Sequence, residues 1–555
     1  MRAKGPERDQ GRRPFPLLVR HFFDRFFDAE SLSPGSTPEA AVVQLLGILA
    51  VPSGFASILC FQLAPHGWGM VTFRHIFVSF SMIVMAFITV FHWDALFPDR
   101  RDYQILTPLP LRLSDLFLAK TCALTLYLGV FLADLNFFGV LLWPGVDGGS
   151  NLLAAMGAHA AAVAAGGVFA ALALAAFQGV LLALLPATVL RRVAAPLQTL
   201  LMGALVMLLF LTPILGGRVE QLVRARSPLI YGFPGYWFDG LYERLHPALR
   251  KPDAVLEGLG TLAVRGLLIA AGMFLLTYLP LYRRHARKVL EAPSPSPHGP
   301  GLTRCWLAQM VDQRLLRRPT EQAMFHFIGQ TLARSMKHRI FLAVYGGFGA
   351  AVGLMTLGEG REGLLRLPLT LSFVMVSGLR AAFNFPSELG ANWAFQVTET
   401  RRAGEYLAAT RKWITLCAIV PLFLVFAPVE LASFPWPTAL FHSAFGATLA
   451  VLLMEVLFYD FRKVPFTCAH FPGKVNLVGL GAMYILGFTM YSRTMAGVEA
   501  WLTGVPAAAA LFFGVAAMLW LLVTRHRDRA VAGAAALDYE DRGDPVIRTL
   551  DLRLQ

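Results

Sequence analysis

Charge is scarce in this chain. Asp, Glu, Lys and Arg make up 15% of its 555 residues, against roughly a quarter in soluble proteins. The few charges stand in short clusters between apolar runs of roughly 18 to 30 residues, each long enough to cross a hydrocarbon core of about 30 Å. Such runs must be helical, because a membrane barrel is built from short alternating segments. Cysteine is scarce too. Cys60, Cys122, Cys305, Cys417 and Cys468 include no CxxC spacing, so neither a disulfide framework nor a paired-thiol metal site is implied. The short apolar core and small-residue cleavage site of a secretory leader are missing from the basic N-terminus. Also lacking are GxxxxGK[ST], HExxH and GxSxG, and no pair of carboxylates has a spacing suited to hydrolysis. The chain is expected to bind no metal, to carry no cofactor of its own and not to be an enzyme.

What is present is apolar: 56% of residues are hydrophobic. The candidate spans are 40–63, 75–96, 117–143, 153–185, 196–215, 259–282, 340–357, 366–385, 413–433, 438–460, 474–492 and 500–523. The predicted fold class is all-α, a polytopic membrane protein of about twelve transmembrane helices in two six-helix halves. The fourth run is rich in Ala and Gly (Gly157, Gly166, Gly167) and is expected to pack closely on its neighbours. The formal net charge of +14 reflects topology rather than nucleic acid, since Lys and Arg gather in cytoplasmic loops beside anionic lipid.

Two segments have an amphipathic helical period. In 15–28, Phe15, Leu18, Val19, Phe22, Phe23, Phe26 and Phe27 share one face; in 319–338, Met324, Phe325, Ile328, Leu332 and Met336 do. Each precedes about six candidate spans, and the stretch EAPSPSPHGPG at 291–301 reads as a linker between them. The expected organisation is a first half at 1–290, a cytoplasmic linker at 291–318, a second half at 319–523 and a cytoplasmic tail at 524–555. With both termini cytoplasmic, the loops 144–152, 434–437 and 491–499 face outward and hold only Arg493 between them, as the positive-inside rule requires. The outer segment 216–258 departs from the rule with Arg218, Arg224, Arg226, Arg244, Arg250 and Lys251. Its aromatic run GFPGYWFDGLYERLHP suits helices at or dipping into the outer interface, or a plain aromatic belt.

The loop after the second span carries Asp99, Arg100, Arg101 and Asp102, then a Pro-Leu-Pro turn, and ends at Lys120. Its counterpart at 385–412 also begins with Phe-Pro, places Glu399 beside Arg401 and Arg402, and ends at Lys412. These loops are either docking elements for a cytoplasmic partner or merely charged for topology. Ionisable residues inside spans are costly and point to function. Asp134 and Glu455 are the candidates; Arg265 and Arg380 lie nearer span ends, where Arg reaches water. Cys468 and His470 lack a second pair for a metal, and His92/Asp94 is the other scattered polar candidate.

Taken together, the amphipathic helices, the charged loops at 97–116 and 385–412 and the outer segment resemble the permease subunit of an ABC-2-type exporter. LPLRLSDLFLAK resembles the Leu-Pro turn and Lys that precede the third span in that family. The resemblance implies elbow helices, cytoplasmic coupling loops, and a separate ATPase subunit that binds ATP and docks on those loops. The remaining partners would be membrane lipids and an unidentified hydrophobic or amphipathic substrate, in the cell's inner membrane. The second half matches less completely, because 493–499 is too short for re-entrant helices. A proton-coupled transporter using Asp134 or Glu455, or a membrane enzyme acting on lipids, are the alternatives.

Overall fold

A computed structural model describes residues 14–27, 70–93, 112–142, 151–246, 254–291, 311–316, 318–398, 403–459, 461–468 and 477–532, with single positions between 47 and 58 and at 537 and 539. The described residues form helices and no β-strand. Among the described residues, ten segments are long and apolar enough to cross a membrane. Of the other two expected spans, 40–63 lies outside the described residues apart from isolated positions, and 474–492 falls on the helix Leu477–Gly504. The chain divides into two compact units, Met1–Ser296 and Pro297–Gln555, with the boundary inside the Pro/Ser stretch.

The first unit contains α1 (Pro14–Phe27), α2 (Met70–Phe91), α3 (Leu113–Leu142), α4 (Leu152–Leu184) and α5 (Ala187–Gly216). Three short helices follow, α6 (Val219–Arg224), α7 (Leu229–Gly232) and α8 (Pro234–Leu245), and then α9 (Ala254–Glu291). Pro186 separates α4 from α5, and the Asn151 side chain caps α4 by accepting from the Ala154 amide at 3.2 Å. The buried face of α4 repeats small residues, among them Ala155, Ala158, Ala162, Gly166 and Ala170. Gly167 and Gly179 set the closest approaches: a methyl group there would lie 2.6 Å from Leu132 and 2.4 Å from Thr277. Gly157 faces open space and plays no part in this contact. With lipid tails as apolar as any side chain, close backbone approach and interhelical hydrogen bonds must hold the helices together. Ser81 Oγ donates to the Val163 carbonyl at 3.0 Å, and Asn136 donates to Ser81 Oγ at 3.0 Å.

The second unit contains α10 (Pro319–Arg334), α11 (Met336–Leu357), α12 (Arg361–Ala382), α13 (Asn392–Thr398), α14 (Ala403–Ile414), α15 (Val420–Ser433), α16 (Trp436–Leu457), α17 (Leu477–Gly504) and α18 (Pro506–Ala532). A π-helical turn, Thr415–Ile419, joins α14 to α15 in one continuous span. In the most apolar window of each helix, 61% of α12 is buried against 6% of α18, so α12 is a central helix and α18 a peripheral one whose apolar surface suits lipid.

Several boundaries differ from expectation, among them the loop 385–412, which contains α13 and most of α14. The second amphipathic segment ends at Arg334, because Ser335 is extended and a new helix starts at Met336. The expected outer loop 493–499 is helical: α17 runs through it to Gly504, and Pro506 sets the break. The last helix continues past 523 to Ala532, and Leu537 and Tyr539 pack on the core of this unit.

Candidate functional site

Among the described residues, each unit buries a cluster of three or more ionisable side chains within its helices. In the first unit the cluster joins α2 to α8. Arg74 donates to Glu243 Oε1 at 2.8 Å, stands 3.8 Å from Asp239 Oδ1 and lies over the Tyr242 ring at 4.5 Å. His75 Nδ1 shares a 2.6 Å hydrogen bond with Asp239 Oδ2, and its ring meets that of Tyr236 at 4.3 Å. Burial and the Asp239 carboxylate push the Tyr236 phenol up to about 12. Backbone contact brings α8 this deep: a methyl on Gly240 would lie 2.1 Å from the Leu256 carbonyl oxygen, and one on Gly260 would lie 2.7 Å from that of Gly240. The aromatic segment is therefore a helix packed against α2, α4 and α9, with Tyr236, Phe238 and Tyr242 buried. A fixed arginine pinned by two carboxylates is a clamp, since removing either partner would strand a charge in apolar surroundings.

The second unit's cluster joins α15, α16 and α17. His442 Nδ1 is hydrogen-bonded to Glu499 Oε1 at 2.6 Å, and its Nε2 faces Glu430 Oε1 at 3.6 Å. The other oxygen of Glu430 accepts from Ser443 Oγ at 2.8 Å. His442 is 0% exposed and Glu430 1%. The two atoms that face each other, His442 Nε2 and Glu430 Oε1, have no hydrogen-bond partner. One imidazole thus lies between two carboxylates, one side closed by a hydrogen bond and the other slightly open. Among the described residues, no three His, Cys, Asp or Glu side chains are arranged to hold a metal.

The residues singled out in the sequence fare unevenly. Asp99, Arg100, Arg101, Asp102, Glu399, Arg401 and Arg402 lie outside the described residues. Asp134 is half-buried on α3, and its Oδ2 has no hydrogen-bond partner. Glu455 forms a buried ion pair with Arg527, joining α16 to α18. Arg265 is exposed on α9. Arg380 donates to the Leu457 carbonyl at 3.0 Å and to Asn384 at 2.8 Å, and lies 4.9 Å over the Phe461 ring. Cys468 is buried, and its carbonyl accepts from Lys463 Nζ at 2.7 Å. His92 shares a 2.8 Å hydrogen bond with the Tyr127 hydroxyl beside Phe26, and burial lowers it to about 4.

Sequence reasoning missed both clusters. The signal was present, as Glu430 and His442 interrupt the apolar runs APVELASF and LFHSAFG. Glu499 carried no such signal while it was assigned to a loop.

The helices flanking the charged loops share one arrangement. Leu18, Phe22 and Phe26 of α1 pack on Leu116, Ala119, Ala123 and Tyr127 of α3, with Lys120 Nζ 5.8 Å over the Phe22 ring. In the second unit, Met324, Ile328 and Leu332 of α10 pack with Tyr406, Leu407 and Ile414 at α14. Here Lys412 pairs with Glu321, and Arg318 with Glu405 at 3.0 Å.

No family model, no curated protein and no solved structure matches this chain.

Proposed function

We propose that this chain is the transmembrane permease of an ABC-2-type exporter, with about twelve spans in two halves, both termini cytoplasmic in the inner membrane, and a separate ATPase subunit docking on the loops 97–116 and 385–412. The observation that carries the reading is the arrangement common to both units. An amphipathic helix is packed on the helix that follows an Arg-pair loop, α1 on α3 and α10 on α14, and each contact includes a lysine of that helix, Lys120 on α3 and Lys412 on α14. A push on either loop would be transmitted to a transmembrane helix and its interfacial partner together, which is how closure of an ATPase pair would rock a half. The inserted α8 adds weight, since it matches the outer segment that the resemblance implies.

On this reading Asp99, Arg100, Arg101 and Asp102, with Glu399, Arg401 and Arg402, form the docking surface, and a hydrophobic or amphipathic substrate moves outward. Purification from native membranes in mild detergent should bring down a stoichiometric nucleotide-binding subunit with ATPase activity. Arg100→Glu with Arg101→Glu should abolish stimulation of that activity while leaving membrane insertion intact. A solitary chain, or coupling untouched by the double reversal, would overturn the assignment. The pairing of Glu455 with Arg527 gives that carboxylate a structural role and weakens it as a proton carrier.

A further inference from the structure

We infer that Glu430, His442 and Glu499 form a proton-binding site inside the second unit, in which the imidazole passes a proton between the two carboxylates. The inference stands apart from the exporter reading, because its test reads protonation and not transport.

Placement and charge carry it. Glu430 is in the last turn of α15, His442 near the start of α16 and Glu499 near the end of α17, so three helices bring one group each to the same end of the unit. An imidazolium between two carboxylates leaves one net negative charge in apolar surroundings, and one further proton makes the cluster neutral. A net charge buried among apolar side chains is costly.

Among the described residues, the charged groups on the adjoining helices are engaged elsewhere or exposed. On α12, Arg361 donates to the Ser433 carbonyl at 3.0 Å and lies over Phe434, Arg366 pairs with Glu359, and Glu362 is exposed. On α17, Arg493 turns to Glu359 at 3.8 Å. Beyond these groups α15 and α16 contribute only Glu430, His442 and Ser443 at this end, and α18 has no charged residue before Arg525.

The transfer balances. A proton on Glu430 Oε1 moves to His442 Nε2, breaking an O–H bond and forming an N–H bond. The proton on Nδ1 moves to Glu499 Oε1, breaking an N–H bond and forming an O–H bond. The unpartnered Nε2 and Oε1, 3.6 Å apart, need only a small approach for the first step, while the second contact is already a hydrogen bond.

The test is infrared difference spectroscopy of the full chain in phosphatidylcholine vesicles, titrated between pH about 5 and about 9. The expected result is a carboxylic-acid carbonyl band that titrates and is lost in Glu430→Gln and in Glu499→Gln. Ser443→Ala removes only the hydroxyl bonded to Glu430 and should shift the band without loss of fold, giving a readout should a Gln variant fail to assemble. Asp134→Asn should leave the band in place. A wild-type spectrum with no titrating carboxyl band, or one unchanged by Ser443→Ala and by both Gln variants, would overturn the proposal.

Discussion

The two units bury charge for opposite ends. The first uses Arg74, Asp239 and Glu243 to hold an inserted helix, and its fixed positive charge balances carboxylates at short range. The second has no inserted helix between α15 and α16, which are joined through Phe434 and Pro435 alone. Its buried carboxylates face an imidazole, whose charge is itself variable. A guanidinium cannot give up its proton and so fixes structure. The first cluster also holds an imidazole, His75 on Asp239, so the difference is that Glu430 and Glu499 are bridged by an imidazole in place of a guanidinium.

That contrast can be broken most severely at Arg74. Arg74→Met should cost the first unit about 3–5 kcal/mol, because two buried carboxylates lose their cation. The double variant Arg74→Met, Glu243→Gln should recover part of the loss. Thermal melting in detergent, with proteolysis within 219–245 as a second readout, measures both. His442→Gln in the second unit should cost less, since the Gln amide can still donate to Glu499. Equal losses in the two units would erase the distinction between clamp and proton site.

A smaller effect is expected from glycine. Gly240→Ala places a methyl against the Leu256 carbonyl oxygen and the Gly260 amide, backbone atoms that cannot rotate away. Overpacking of this kind costs about 1–3 kcal/mol, here at the upper end. At Gly446 of the second unit a methyl would meet the Phe423 ring at 2.6 Å, and a side chain can turn aside. Gly446→Ala should therefore lower the melting midpoint less than Gly240→Ala. The reverse order would mean that α8 is not seated by this backbone contact.

Much of the helical layout was legible, because long apolar runs and a 3.6-residue period are local signals. The faces of α1 and α10 were read correctly at Leu18, Phe22, Phe26, Met324, Ile328 and Leu332. What failed was the extent of α17. The segment 491–499 reads as an outer loop between two apolar runs, yet Arg493 reaches Glu359 and Glu499 reaches His442, and the helix carries on to Gly504 before Pro506. Arg527 was counted among cytoplasmic charges and is buried against Glu455, seventy-two positions away. A partner so distant in sequence has no local signature.

The mildest way to separate the units is acid. α1 rests on α3 through apolar side chains around His92, whereas α10 is held by Glu321–Lys412 and Arg318–Glu405 with no imidazole in the contact. Burial lowers His92 from its ordinary value of 6.5 to about 4. The unfolded chain therefore takes up a proton in that window while the folded chain does not, so stability falls as pH drops from about 6.5 towards about 4 and is fully present above it. The melting midpoint of the wild type should fall over this range, and His92→Gln, which still meets the Tyr127 hydroxyl but cannot be protonated, should fall less. A variant that tracks the wild type would place the acid response elsewhere in the chain, and α1 would then owe its seat to Phe22 and Phe26 alone.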